Sequence, residues 1–314
     1  MQDSAFDAGG LLRQWLGDFF ATLRTLELPG NMGTSIYYDP VHSGSSKTVF
    51  MSRGSRYLPP AIYMDISRSV PMQVKYLEES PTEEVAFVKN LYITVGKVIN
   101  TVLREEGTCL PESFASPLLI QYLLKGTSGI LESRWMGYKD IEDAVLQFDP
   151  TYQGSLAHFE QTYACTEERR IQLCNFVDEY IYYPRSAFLE LIKRGFDIVP
   201  LHEHLLCFSP AKLWSLFVGA ESLTAAEVRQ ALVFDPCFDE DTIDEVKGAI
   251  SDMSSEEIRQ FLVFATGMPY INLNTSTITV SRSVFAQDQM SVWPAWPLPK
   301  SYTCFNQVCC YISI

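Results

Sequence analysis

Apolar side chains recur at helical spacing through most of the first two thirds of the chain. Leu11–Leu26 carries apolar residues three or four positions apart. The same spacing recurs over residues 80–95, 118–125, 138–147, 167–182, 186–194 and 210–217. Such a period is typical of amphipathic helices that pack one face against a core. The pattern therefore predicts a mainly helical amino-terminal region.

Capping signals locate the ends of several of these helices. Ser80, which precedes Pro81, is predicted as the N-cap of its helix, since serine caps well and proline suits the first helical position. The segments Thr224–Glu227 and Ser254–Glu257 each have the spacing of a capping box. Gly195 is predicted to follow the last turn of its helix, as glycine commonly does.

The pattern changes at the acidic, proline-containing stretch Phe234–Asp241, which has no apolar period. We predict the domain boundary there, with one domain at residues 1–236 and a smaller α+β domain at residues 237–314. Within the smaller domain the patterns predict two helices and an alternating strand, at residues 241–250, 254–264 and 271–281.

Composition narrows the classes of partner. The 314 residues have a formal net charge of −14 and a pI near 4.7, and no basic stripe that could neutralise phosphates is present, so nucleic acid is not predicted as a partner. No apolar run reaches the length of a membrane span and no signal peptide is recognised. The expected location is cytosolic or nuclear, with no membrane partner.

The chain has eight cysteines without a CxxC pair, which favours reduced thiols over a disulfide framework. The group His202, His204 and Cys207 lacks a fourth ligand nearby, and neither a metal nor another cofactor is predicted. Cys304 follows a proline-rich stretch that predicts a loop. Judged by its neighbours alone, it is either a buried small apolar residue or an accessible nucleophile. Cys309 and its apolar neighbours predict a buried strand.

Leu298–Asn306, with the sequence LPKSYTCFN, resembles the active-site segment of the HECT family of ubiquitin-protein ligases, in which Leu-Pro and a short spacer precede Thr-Cys-Phe-Asn. Further segments resemble the family in the same order along the chain: Asp7–Trp15, Val95–Ile99, Arg194–Phe196, Leu205–Pro210 and Phe261–Gly267. The resemblance thus extends over nearly the whole chain.

The resemblance implies a bilobal α+β fold and a ubiquitin-protein transferase. The larger lobe, residues 1–236, would bind a ubiquitin-conjugating enzyme at about residues 107–163, and a hinge would join it to the smaller lobe. Cys304 would carry ubiquitin as a thioester and pass it to a lysine of a protein substrate. The loop around it would be supported by Thr303, Phe305 and Asn306.

Three departures from the family pattern leave an alternative open. Tyr302 stands where members commonly have histidine, the family continues beyond the position of Ile314, and the docking subdomain is shortened between Tyr163 and Thr166. The alternative is a degenerate HECT-like protein that binds ubiquitin-pathway partners without transfer. A thiol hydrolase that pairs Cys304 with a histidine is the third hypothesis. The four histidines, however, lie in no recognisable hydrolase motif.

Overall fold

The computed structural model describes residues 10–29, 36–38, 48–64, 82–105, 108–126, 136–163, 165–200, 210–282, 300–302 and 307–310, and single residues 75, 77, 79, 205, 207 and 208. The helices, in chain order, are α1 (Gly10–Thr25), α2 (Glu83–Arg104), α3 (Pro117–Lys125), α4 (Tyr138–Phe148), α5 (Gln153–Thr162), α6 (Thr166–Phe176), α7 (Ser186–Phe196), α8 (Pro210–Phe217), α9 (Ala225–Ala231), α10 (Glu240–Ser251) and α11 (Ser255–Thr266). Between α6 and α7 the chain forms a π-helical turn, Val177–Tyr182, and a 3-10 turn, Tyr183–Arg185.

The strands are short. They are β1 (Ile36–Tyr38), β2 (Ile62–Met64), β3 (Leu110–Pro111), β4 (Val218–Gly219), β5 (Leu232–Phe234), β6 (Ile278–Arg282), β7 (Lys300–Tyr302) and β8 (Gln307–Cys310). β1 pairs with β2 in antiparallel fashion, and β3 pairs with β4 in parallel. The last four strands form one sheet in the order β5-β6-β8-β7, in which only β7 is antiparallel. This mixture of many helices and few strands is compatible with the predicted α+β class.

The described residues form two compact units. The larger unit lies within Phe20–Glu106 and Glu112–Phe217, and the smaller lies within Met1–Phe19, Gly107–Pro111 and Val218–Ile314. The domain boundary between residues 236 and 237, and the hinge that the family resemblance implies, stay predictions.

In the larger unit, α2 and α7 cross in backbone contact. A Cβ atom added to Gly96 would lie 1.9 Å from the carbonyl oxygen of Ile192, and one added to Gly195 would lie 1.9 Å from that of Ile93. Both distances are far below van der Waals contact. Only glycine therefore permits this crossing. The family-like segments Val95–Ile99 and Arg194–Phe196 contain these two glycines, and they pack the helices together.

Aromatic side chains fill the space beside this crossing. Tyr92 on α2 stacks on Phe188 of α7 with ring centroids 4.3 Å apart, and Phe50 meets the Tyr92 ring edge-on. The Tyr92 hydroxyl donates a 2.8 Å hydrogen bond to the carbonyl of Val49, so its one polar atom is satisfied inside the core.

In the smaller unit, α9, α10 and α11 pack around the apolar side of the four-stranded sheet. The core consists of residues that are each at most 9 % exposed: Leu223, Val228, Leu232, Phe238, Ile250, Ile258, Leu262, Ala265, Ile271, Ile278, Val280 and Val308. The three helices and the three parallel strands all contribute to this core. The strand predicted around Cys309 is confirmed, because Val308 is buried and β8 is paired on both sides.

Two capping predictions are confirmed and two helix ends are corrected. Thr224 and Ser254 both make reciprocal capping boxes. The prediction of Ser80 as N-cap is wrong, because α2 begins at Glu83 and the side chain of Thr82 accepts from the third helical N–H group. The prediction that Gly195 follows the end of its helix is also wrong, since α7 continues through Phe196.

The alternating pattern predicts a strand over residues 271–281, but the observed strand is shorter. Ile271 makes an isolated bridge with Ala220, and β6 begins only at Ile278. Between them the carbonyl of Asn272 accepts hydrogen bonds from the N–H groups of Thr275 and Ser276, which closes a turn and interrupts the extended chain. Helix α5, which the apolar pattern does not predict, buries only Leu156.

Candidate functional site

The residues predicted to carry out and support the chemistry lie outside the described part of the chain: Cys304, Thr303, Phe305 and Asn306. The strands on either side of them are described. β7 ends at Tyr302 and β8 begins at Gln307, and these two residues are antiparallel partners. Paired residues in such a ladder have Cα atoms about 5 Å apart. The segment 303–306 is therefore bordered by two neighbouring strand ends.

Strand β8, which follows residues 303–306 in the chain, is held in the sheet on both sides. On one side it pairs in parallel with β6, and on the other it pairs with β7. Val308 is 5 % exposed and belongs to the core of the smaller unit. A strand with two partners and a buried side chain resists movement, and rigid supporting elements are what a reactive residue needs to be positioned.

A hydrogen-bonded turn leads into β6 at the same edge of the sheet. Because β5, β6 and β8 are parallel, their first residues lie along one edge of the sheet, where β8 begins at Gln307. The turn Asn272–Ser276 enters β6 there. Asn272 is 2 % exposed, and its side-chain oxygen accepts from the N–H of Asn274 at 2.9 Å. This edge is thus ordered by the backbone hydrogen bonds of the turn.

Helix α11, which packs against β7 and β8, ends at Thr266 and Gly267, the last two residues of the family-like segment Phe261–Gly267. The Thr266 hydroxyl donates to the carbonyl of Leu262 at 2.8 Å and accepts from the N–H of Met268 at 3.2 Å. Gly267 follows with φ of 82°, a left-handed conformation that favours glycine. The Thr-Gly pair thus closes the helix and redirects the chain.

The turn also meets α1 near Gly17. A Cβ added to Gly17 would lie 3.2 Å from the ring of Pro269 and 3.9 Å from the carbonyl of Gly267. This glycine lies two residues after the segment Asp7–Trp15. Residues 1–9 of that region are outside the described part of the chain.

A second candidate region lies in the larger unit, where five aromatic side chains form a connected surface: Tyr152, Phe159, Tyr163, Phe176 and Tyr180. We call this group the aromatic surface. Phe176 is its centre, with ring centroids 5.1 Å from Tyr152, 5.8 Å from Phe159 and 4.9 Å from Tyr180. Phe176 is 8 % exposed, whereas Tyr180 is 41 % exposed. The other three rings are partly exposed.

The sequence predicted part of this region. Tyr152, Phe159 and Tyr163 lie within residues 107–163, which the family resemblance assigns to docking. Phe176 and Tyr180 lie beyond that range and were not predicted to take part. One signal in the sequence could have indicated them. Phe176 and Tyr180 are four residues apart, as are Phe159 and Tyr163, and residues at this spacing lie on one face of a helix.

Other chemistry considered from the sequence has no support among the described residues. Cys207 is exposed, and its proposed co-ligands His202 and His204 lie outside the described part of the chain. In the described ranges, no three or more His, Cys, Asp or Glu residues are grouped so that they could hold a metal ion. None of the described helices is both long and apolar enough to cross a membrane.

Comparison with known families gives a match within the second half of the chain. The family model of the HECT domain, a ubiquitin transferase, matches residues 171–312. The match begins within α6, includes α7 to α11 and the four-stranded sheet, and contains position 304. The match confirms the resemblance to the HECT-domain family over residues 171–312. The match covers less than half of the chain.

The segments that precede residue 171 are similar to the family by their motifs alone. No curated protein matches the chain significantly. A HECT domain implies, in general, interaction with ubiquitin and with a ubiquitin-conjugating enzyme.

Proposed function

We propose that the protein is a ubiquitin-protein transferase in which Cys304 accepts ubiquitin from a conjugating enzyme and passes it to a lysine of a protein substrate. The observation that carries this proposal is the HECT-domain match over residues 171–312, which includes the Thr-Cys-Phe-Asn sequence. Thr303, Phe305 and Asn306 are proposed to shape the loop and orient the thioester, without taking part in bond making.

The chemistry consists of two acyl transfers. The Cys304 thiolate attacks the carbonyl carbon of the ubiquitin thioester, and the thiolate of the conjugating enzyme leaves with the electrons of the broken C–S bond. A lysine amine of the substrate then attacks the new thioester, loses a proton, forms the amide and releases the Cys304 thiolate. A thiol is nucleophilic enough for this even when only a few per cent is ionised at neutral pH.

The first step exchanges one thioester for another, so little free energy separates its two sides. The main requirement is to bring two sulfur atoms together in the correct orientation. The arrangement of β7 and β8 supports this role, because paired strand ends border the segment 303–306 and Val308 fixes β8 to the core.

We further propose that the aromatic surface binds the conjugating enzyme. Exposed aromatic rings around a buried one are typical of the centre of a protein interface, because they provide a large contact area at low entropic cost. Tyr180 is the most exposed ring of the aromatic surface, and its ring stacks on that of Phe176. Three of the five rings lie within the residues that the family resemblance assigns to docking.

The test of transfer is to incubate the protein with activating enzyme, a panel of conjugating enzymes, ubiquitin and ATP. We expect an adduct of protein and ubiquitin that is lost on reduction and absent in Cys304→Ala. Cys237→Ala is the matched control, since Cys237 is an exposed free thiol in the smaller unit. If folded protein gives no adduct with any conjugating enzyme, transfer is refuted and the binding-only alternative is favoured.

The same assay tests docking. Tyr180→Ala is expected to slow adduct formation at least tenfold, as the loss of an interface anchor worth about 2 kcal/mol would. Tyr183→Ala is the control, because Tyr183 is 56 % exposed on the next turn but lies outside the aromatic surface. Equal rates for the two variants would refute docking at this surface and leave the role of Cys304 standing.

A further inference from the structure

Helix α5 carries part of the aromatic surface but is weakly attached to the rest of the larger unit. Phe159 lies on the helix and Tyr163 is its C-cap residue, whereas Leu156 is the one residue that it buries. The helix packs against α6 and against the 3-10 turn Pro150–Tyr152 that precedes it. A helix with so little buried surface opens locally at low cost in free energy. Its position therefore depends on a few individual contacts.

Helix α6, by contrast, is well anchored. It buries Leu173, Cys174 and Phe176, and it packs against α4 as well as α5. The ring of Phe176 meets that of Phe159 edge-on, with centroids 5.8 Å apart. Helix α6 is thus the support on which α5 and its rings are placed.

Arg169, near the start of α6, binds the end of α5. Its Nε atom donates a hydrogen bond to the carbonyl oxygen of Tyr163. Carbonyl groups at the end of a helix have no partner within the helix, so this bond satisfies one of them. A positive charge is also favourable there, because the helix dipole is negative at its carboxyl end. The bond therefore ties the end of α5 to α6.

The residue that Arg169 binds also orients the rings of α5. The N–H of Tyr163 donates to the carbonyl of Phe159 at 3.0 Å, so the two residues share the last turn of the helix. Their ring centroids lie 6.4 Å apart. A bond that fixes the backbone of Tyr163 thus fixes the turn from which both rings project. 

We propose that Arg169 is a positioning residue for docking of the conjugating enzyme, because it holds the rings of Phe159 and Tyr163 beside Phe176. This inference rests on the docking role proposed above and adds a residue that acts through the aromatic surface. Without the bond, α5 would move among several positions, and a partner would have to order it on binding. Such ordering lowers affinity, whereas a surface already in its bound arrangement avoids the loss. The transfer chemistry at Cys304 would be unchanged.

The experiment measures the initial rate of adduct formation against the concentration of the conjugating enzyme that gives the strongest adduct. Arg169→Ala should raise KM about tenfold, as the loss of a charge-assisted hydrogen bond would. The kcat value should stay within about twofold of wild type, since only binding is weakened. Arg104→Ala is the matched control, because Arg104 is an exposed arginine at the end of α2 in the same unit. It should change neither value.

Two further measurements separate loosening of α5 from general damage to the fold. The unfolding midpoint of Arg169→Ala should match that of wild type, because α5 opens locally, while hydrogen exchange of the α5 amides should become faster. Arg169→Met is the second variant, since it keeps an unbranched apolar stem without the donor. If Arg169→Ala unfolds at a lower temperature, the KM and kcat values of Arg169→Met decide in its place.

A double-mutant cycle with Tyr163→Ala separates positioning from a direct contact between Arg169 and the partner. Tyr163→Ala removes the ring but keeps the backbone carbonyl that Arg169 binds. If Arg169 acts by placing the rings, Arg169→Ala should raise KM by about threefold or less in the Tyr163→Ala background, since the two effects share one cause. A direct contact would instead raise KM by the same factor in both backgrounds.

Each outcome separates this inference from the docking role. A wild-type KM in Arg169→Ala, a fall in kcat alone, or additive effects in the cycle overturns the positioning role of Arg169. None of these results contradicts docking at the aromatic surface, which Tyr180→Ala tests. If Tyr180→Ala reacts as fast as wild type, docking at this surface fails and the role of Arg169 fails with it.

Discussion

The crossing of α2 and α7 leads to a quantitative prediction for Gly96→Ala. The new methyl group would lie 1.9 Å from the carbonyl oxygen of Ile192 and 2.7 Å from the backbone nitrogen of Phe196. Ordinary contact begins near 3.4 Å, so the helices must separate by more than 1 Å. No side-chain rotation relieves the clash, because the opposing atoms belong to the backbone.

Overpacking of this kind costs about 1–3 kcal/mol, and a rigid obstacle favours the upper end. Alanine is better than glycine inside a helix by about 1 kcal/mol, which offsets part of the loss. We expect a net loss of about 2 kcal/mol, which for a unit of this size lowers the unfolding midpoint by about 4–8 °C. The measurement is thermal unfolding followed by circular dichroism.

Gly154→Ala is the control for this prediction. Gly154 lies on α5 in the same unit, and a Cβ there would meet nothing within 4 Å. Its replacement should leave the midpoint unchanged or raise it, by up to about 1 kcal/mol of added stability. If Gly96→Ala unfolds at the wild-type temperature or above it, the two helices do not cross in backbone contact and the reasoning is refuted.

Three further predictions concern single side chains. Thr266→Val removes the hydroxyl that accepts the N–H of Met268, and unfolding should show a loss of about 1–3 kcal/mol, with Thr266→Ser as the restoring control. Tyr92→Phe removes the hydrogen bond to Val49 and should cost about 1–2 kcal/mol; an unchanged midpoint would contradict its role in the core. Because burial raises the pKa of Asp178, the folded state holds its proton more tightly than the unfolded chain, and stability falls as pH rises through about 6. Asp178→Asn should therefore raise the unfolding midpoint at pH 7.5 and change it little at pH 4.

Local signals were sufficient for several elements. The capping boxes at Thr224 and Ser254 form as predicted, because both partners of each box lie within one turn of the chain. Gly267 likewise takes the left-handed conformation that ends α11. These features depend on neighbours in the sequence alone, so a short window contains all the information needed.

The predictions that were wrong or missing depend on contacts that a short stretch of sequence does not show. Gly195 was predicted to end its helix, yet it lies inside α7 because Ile93, more than a hundred residues earlier in the chain, approaches it. Helix α5 has a weak apolar stripe, since it buries only Leu156. The interruption at Asn272 depends on hydrogen bonds to its own backbone and side chain, which an alternating pattern does not reveal.

For the candidate site, sequence and structure contribute different parts. The identity of Cys304 as the proposed nucleophile comes from the Thr-Cys-Phe-Asn motif and stays a prediction. The pairing of Tyr302 with Gln307 and the two-sided support of β8 come from the structure. The aromatic surface required both, because it joins residues within the predicted docking range to residues after it.

The order of strands in the sheet has a consequence for synthesis of the protein. β6 lies between β5 and β8, and β8 is made of residues 307–310. During translation from the amino terminus, β5 and β6 emerge before β8, so β6 has only one neighbour until residues 307–310 leave the ribosome. The sheet that borders the proposed active-site segment is therefore completed only after that segment has been made, and a nascent chain that stalls before residue 307 lacks β8.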